Sequence, residues 1–113
     1  MNRKAKVLLF GRLAGRIFEN EDGYVFQYDS EYLKDKNAPA VSFTLPLREE
    51  PYIEKAMIPF FDGLIPEGWL LNIVEQNWKI NARDRMGLLL ACCKDCIGAV
   101  SIISEEETGN KND

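Results

Sequence analysis

Three cysteines fall within five residues, Cys92-Cys93-Lys94-Asp95-Cys96, and Cys93 and Cys96 form a Cys-x-x-Cys pair. Such a pair could hold a metal or carry out thiol–disulfide exchange. A structural zinc site takes about four Cys or His ligands, and this chain has three cysteines and no histidine. A redox pair needs a thiol pKa lowered at a helix start. These cysteines follow a helical stretch instead, at the unfavourable end of its dipole. They read as reduced, packed thiols, and neither cofactor nor metal is expected. The missing histidine also removes the usual general base and the Ser-His-Asp and Cys-His arrangements. No Gly-rich phosphate loop, HRD-like catalytic loop or DFG motif occurs. Arg83-Asp84-Arg85 stands at a helix start and reads as a solvated face. The catalytic set is therefore empty.

What remains is a residue that could bind rather than react. In FFDGLIPEGWLLN, Phe60 to Asn72, Pro66 suits the first position of a helix and Glu67 suits the positive end of its dipole. The helix should run to about Lys79. On a helical wheel Leu70, Leu71, Ile73, Val74 and Trp78 define the apolar face, and Trp69 falls roughly 130° from its centre, beside Asn72 and Gln76. Trp78 belongs to the core. For Trp69 two readings stay open: packing against the preceding Leu64 and Ile65, or exposure for a partner. An exposed tryptophan is most simply explained by a protein interface.

The elements that would position this segment come before and after it. Lys6–Phe10, Gly15–Glu19 and Tyr24–Tyr28 read as strands, with turns at 11–14 and at Asn20-Glu21-Asp22-Gly23. Alternation puts Tyr24, Phe26 and Tyr28 on one face of the third strand. Ser30–Lys36 is a short helical turn or loop, and Ala40–Leu45 a fourth strand ended by Pro46. Pro51–Asp62 looks helical from the spacing of Ile53, Met57, Phe60 and Phe61, with Pro59 breaking it or starting a second turn. Asp84–Cys92 is a helix with Met86, Leu88 and Leu89 for the core. Gly98–Ile103 is the last strand. Strands, then helices, then one strand predict an α+β fold: a small antiparallel sheet of about five strands with three to four helices packed on it. Residues 1–104 form the domain, and 105–113 a polar, acidic tail expected to be flexible.

The chain has 113 residues, 46% hydrophobic, enough for one core without disulfides. No apolar run reaches the roughly 18 residues of a membrane span, and the apolar part of MNRKAKVLLF is too short for a signal peptide. No membrane contact and a cytoplasmic location are expected. Net charge is −4, unlike a self-sufficient nucleic-acid binder. Residues 1–16 nevertheless carry Arg3, Lys4, Lys6, Arg12 and Arg16 without an acid. That is either a solvated edge or a local patch touching DNA beside a partner, so DNA contact is at most indirect.

Four blocks in order resemble the N-terminal subdomain of HipA-type kinases: Ala14-Gly15-Arg16-Ile17, Ser42-Phe43-Thr44-Leu45-Pro46-Leu47, the FFDGLIPEG segment and DRMGLLLACCKDCIGAVSIISEE. The resemblance covers residues 6 to 107. Phe60, Phe61, Leu64, Pro66 and Glu67 match the third block, and Leu88, Leu89, Asp95, Cys96, Gly98, Ala99 and Val100 the fourth. Lys94 stands where that block has glycine, so the turn there can differ. In that family the subdomain precedes a kinase core, which these residues do not include. The polar tail reads as a natural end. The resemblance therefore implies a HipS-like antitoxin of a HipBST-type three-component toxin–antitoxin system, not an enzyme. It would bind and inhibit a separate HipT-like serine/threonine kinase toxin, in a complex that also holds a HipB-like DNA-binding protein. The implied kinase contact is Ile65, Pro66, Glu67, Gly68, Trp69 and Asn72, with Trp69 as the inhibitory residue. The alternative is a structural or activating subunit that completes a split HipA-type kinase.

Overall fold

Two tight hairpins set the sheet. A computed structural model describes residues 3–65, 84–92 and 99–105. Strand β1 (Lys4–Leu9) turns into β2 (Arg12–Asn20) through Phe10 and Gly11 alone. Both turn residues have positive φ, 52° and 78°, the handedness that matches the twist of a two-residue hairpin. Strand β2 turns into β3 (Gly23–Tyr28) over Glu21 and Asp22, with Asn20 opposite Gly23. The Asn20 side-chain oxygen accepts from the Asp22 N–H at 2.8 Å. Gly23 has φ 144°, and a Cβ there would lie 2.2 Å from the Glu54 carbonyl oxygen, so the backbones approach closer than any side chain permits.

Strands β4 (Tyr52–Glu54) and β5 (Val100–Ser104) complete an antiparallel sheet of order β4-β3-β2-β1-β5. The register of β1 and β2 shifts between Val7 and Leu8, leaving Ala14 as the extra residue of a bulge. Its carbonyl accepts from the Asp29 N–H at 2.8 Å, which carries the chain from β3 into helix α1 (Ser30–Leu33). Asp29 caps that helix by accepting from the Glu31 N–H.

Alternation sorts the sheet into two faces. Val7, Ile17, Phe26, Tyr28 and Ile102 point inward and are buried against Phe61 of α2 (Pro59–Asp62) and Met86, Leu88 and Leu89 of α3 (Arg85–Cys92). Phe26 is the hub. Its ring centroid lies 4.9 Å from Tyr28, edge to face, and 5.2 Å from Phe61. Gly15 makes room for this ring, since a Cβ there would meet the Gln27 carbonyl at 2.5 Å and the Phe26 ring at 2.9 Å. The outer face carries Lys4, Lys6, Phe18, Val25 and Ile53, with Phe18, Val25 and Ile53 in one cross-strand row. Among the described residues no helix is long and apolar enough to cross a membrane.

The α+β architecture with a five-stranded sheet is as expected, but one strand is a different segment. Ala40–Leu45 forms no strand; an isolated bridge, Ser42 to Leu45, closes a turn there. The Ser42 and Thr44 hydroxyls bond each other at 2.9 Å, and Ser42 Oγ accepts from the Thr44 N–H. Side-chain bonds of this kind satisfy the backbone locally and compete with a ladder. The fourth strand is Tyr52–Glu54, inside the segment expected to be helical. Ile53 there is 69% exposed, so its spacing to Met57 was not a core period. Pro59 opens α2 rather than interrupting a helix. The first turn is at Phe10 and Gly11, not at 11–14. The last strand extends to Ser104, paired with Ala5, and the Glu105 N–H donates to the Lys4 carbonyl at 2.9 Å.

Candidate functional site

Six residues were expected at a kinase contact. Ile65 is described: it is 6% exposed and belongs to the core cluster. A side chain so placed anchors the chain rather than reaching across a surface. Pro66, Glu67, Gly68, Trp69 and Asn72 lie outside the described residues, as do Trp78, Cys93 and Cys96.

The structure does define both ends of the stretch that carries them. On the incoming side Pro59 sets the first helical position of α2 and Phe61 fixes the helix to the core. Gly63 then donates to the Pro59 carbonyl at 2.9 Å, Leu64 to Phe61 at 3.0 Å and Ile65 to Asp62 at 3.2 Å. On the outgoing side Asp84 caps α3: Oδ1 accepts from the Gly87 N–H at 3.1 Å. The two ends are joined directly, because Arg85 Nε donates to Asp62 Oδ1 at 2.6 Å.

The outgoing end is also tied to the sheet. Arg3 donates through Nε and Nη2 to the Glu19 carboxylate at 2.7 and 2.8 Å, and through Nη1 and Nη2 to Asp84 at 3.1 and 2.6 Å. One guanidinium thus bridges two carboxylates. The hydrogen bonds that Arg3 donates to Glu19, then to Asp84, raise its pKa further, and Arg3 holds the Asp84 carboxyl below its ordinary value. This corrects the reading of Arg83-Asp84-Arg85 as a solvated face: Asp84 and Arg85 are both engaged. The basic N-terminal stretch is likewise partly neutralised. Arg12 pairs with Asp35 at 2.8 Å, and Arg16 with Glu105 at 3.0 Å and Asp29 at 3.3 Å.

A second surface feature escaped the sequence reading. Three tyrosine hydroxyls pin the loop between α1 and β4. Tyr28 donates to the Leu45 carbonyl and accepts from the Val41 N–H at 3.0 Å. Tyr32 donates to Pro39 and Tyr52 to Pro46, both at 2.6 Å. At the tip of this pinned loop Phe43 is fully exposed, at 104%. A groove of ≈ 480 Å³ beside it is lined by Thr44, Leu45, Tyr52, Glu54, Ile58 and Phe60, among others. The signal that could have found it was Ser42 and Thr44 flanking a phenylalanine just before Pro46, a turn composition rather than a strand one. Among the described residues no group of His, Cys, Asp and Glu could hold a metal ion.

Residues 5–103 match the HipA N-terminal domain. The chain belongs to the HipA N-terminal domain family. The solved N-terminal domain of HipA toxin shares the fold, with a TM-score of 0.74 and 28% identity, over 93% of this chain and 94% of that one. An uncharacterised protein of Haemophilus influenzae is 30% identical over 93% of this chain and 95% of its own length. Y4mE of Sinorhizobium fredii, named as a candidate kinase, is 30% identical over 86% of this chain, but the match spans only 23% of that protein. The HipA-type likeness therefore concerns the N-terminal domain.

Proposed function

We propose that this HipA-N-terminal-like protein is an antitoxin that binds a separate HipT-like kinase and holds it inactive, together with a HipB-like DNA-binding protein. The observation that carries this reading is the match of residues 5–103 to the HipA N-terminal domain, beside a relative named as a candidate kinase, Y4mE, of which the matched part is only 23%. The Haemophilus influenzae relative, matched over 95% of its length, is a protein of nearly this size. The protein itself does no chemistry in this reading. Its sheet and helices dock on the kinase, and Trp69, with Pro66, Glu67, Gly68 and Asn72 around it, inserts near the nucleotide-binding region. Inhibition follows only if the bound kinase is held in an incompetent state.

The test is phosphorylation by the kinase encoded beside this protein, assayed alone, with the wild-type chain and with Trp69→Ala. The wild-type chain should suppress activity. Trp69→Ala should fold normally and weaken suppression roughly 30-fold, the equivalent of about 2 kcal/mol at an interface hot spot. Activity that rises on adding the wild-type chain would instead make this an activating subunit of a split kinase.

A further inference from the structure

We infer that the β4 edge of the sheet is a self-association site, at which two copies of this chain pair antiparallel about Ile53 and join their sheets; this does not depend on the function proposed above. The ladder fixes which backbone groups are left over. Asp29 donates to the Ala14 carbonyl at 2.8 Å, and in the same register Val25 and Gln27 bond across to β2. Tyr24 and Phe26 therefore bond across to β4, where they face Glu54 and Tyr52. The N–H and C=O of Ile53 point out of the sheet, and no other backbone group among the described residues bonds them. Ile53 is 69% exposed, so this edge is open. The opposite edge is closed. By the same alternation Ile102 of β5 points its backbone outward, yet it is fully buried. An open edge strand is a template for a further strand.

The occupant is a second copy, because the edge is complementary to itself in shape and in charge. Two β4 strands related by a twofold axis at Ile53 put Ile53 opposite Ile53, and Tyr52 opposite Glu54 of the second copy. On the outer face the row Phe18–Val25–Ile53 then runs on into the same row of the second copy. On the other face the pairing joins opposite charges. Glu54 is exposed and has no ion pair among the described residues. The Arg48 guanidinium lies 3.7 Å from the Tyr52 ring centroid and donates to the Glu50 and Pro51 carbonyls, both at 3.1 Å, but to no carboxylate. Phe26 stacks on the same ring from the sheet side with centroids 6.3 Å apart, too close to hold a guanidinium between them, so Arg48 covers the edge side. Glu54 of one copy, facing Tyr52 of the other, meets Arg48 there, and the twofold axis makes this contact twice. A three-residue edge buries less than the roughly 1,200 Å² of a standard interface, so the association is weak and rises with concentration.

The experiment is sedimentation velocity of the full chain over a range of concentrations, with melting curves by circular dichroism to check folding. The samples are wild type, Ile53→Lys, Glu54→Arg, Arg48→Glu and an equimolar mixture of the last two. The wild type should pass from monomer to dimer as its concentration rises. Each single variant should raise the dissociation constant at least tenfold, Ile53→Lys because a charged side chain guards an edge. The mixture should dimerise like the wild type, because every contact across the twofold axis then pairs opposite charges. If Arg48→Glu melts lower than the wild type, Ile53→Lys and Glu54→Arg still decide, since both change exposed side chains alone. A wild type that stays monomeric at every concentration overturns the inference. A dimer that Ile53→Lys and Glu54→Arg leave intact puts the interface elsewhere and overturns it too. So does a mixture that stays monomeric while both of its variants melt like the wild type.

Discussion

Phe10 shows how a single residue can work against the fold that contains it. It occupies the first position of the β1–β2 turn with φ 52°, and its ring is 79% exposed. A Cβ in the left-handed region costs roughly 1–2 kcal/mol, and the exposed ring recovers little of it by burial. Asparagine accepts that conformation readily and is favoured before glycine in this turn. Phe10→Asn should therefore raise stability by about 1 kcal/mol, seen as a melting temperature about 4 °C higher by circular dichroism. A lower melting temperature would mean that the ring makes a contact worth more than the strain. The strand pattern Lys6–Phe10 gave no hint of this, because a hydrophobic residue at the end of an apolar run looks like one more strand position.

At the scale of elements, the loop between α1 and β4 depends on tyrosine hydroxyls rather than on a ladder. Tyr28 is the central one. Burial pushes its phenol up to about 12, because the anion would lose its hydration. A folded pKa raised above the unfolded value of about 10 means that the stabilisation is complete below pH 10 and is lost as pH rises through about 12. Tyr28→Phe strands the Val41 N–H and the Leu45 carbonyl, at a cost of about 1–3 kcal/mol for buried groups left unpaired. It should also remove the Tyr28 share of the loss of stability between pH 10 and 12, to which the raised phenols of Tyr24 and Tyr32 contribute as well, so the gap between the urea midpoints of the two proteins should narrow across that range. The same loop marks the limit of what periodicity reveals. The hairpins were legible because Asn20–Gly23 is strong turn chemistry between alternating strands. The stretch from Ala40 to Asp62 was not, because its apolar residues reach the core singly: Val41 and Leu45 from a turn, Tyr52 from an edge strand, Met57 and Ile58 from a connection. No window of that segment carries one period.

For the whole molecule, the fold was legible through four sequence blocks, and the matched domain spans nearly the same residues. The proposed contact residues Pro66 to Asn72 lie outside the described residues; what the sequence did not reveal is how the segments on either side of them are held, because that depends on contacts between residues far apart in sequence. Arg3 is the clearest of these contacts, reaching 16 residues to Glu19 and 81 to Asp84. No local pattern pairs an arginine at the chain start with an aspartate at the start of the last helix. This bridge holds the β1–β2 end of the sheet to α3, and the Arg85–Asp62 bond then holds α3 to α2. Arg3→Met keeps much of the apolar stem but leaves two part-buried carboxylates facing each other. The expected loss is about 2 kcal/mol at pH 7, the scale of charged hydrogen bonds. Its pH dependence follows from Asp84. Arg3 lowers the folded pKa of that carboxyl, so the stabilisation is present above the unfolded value of about 3.9 and is lost as pH falls through the lower folded value. The stability difference between wild type and Arg3→Met should therefore be full at pH 7 and shrink below about pH 4. Urea midpoints at pH 7 and pH 3 test this: a difference that stays constant would place the contribution of Arg3 in the packing of its stem, not in its charge.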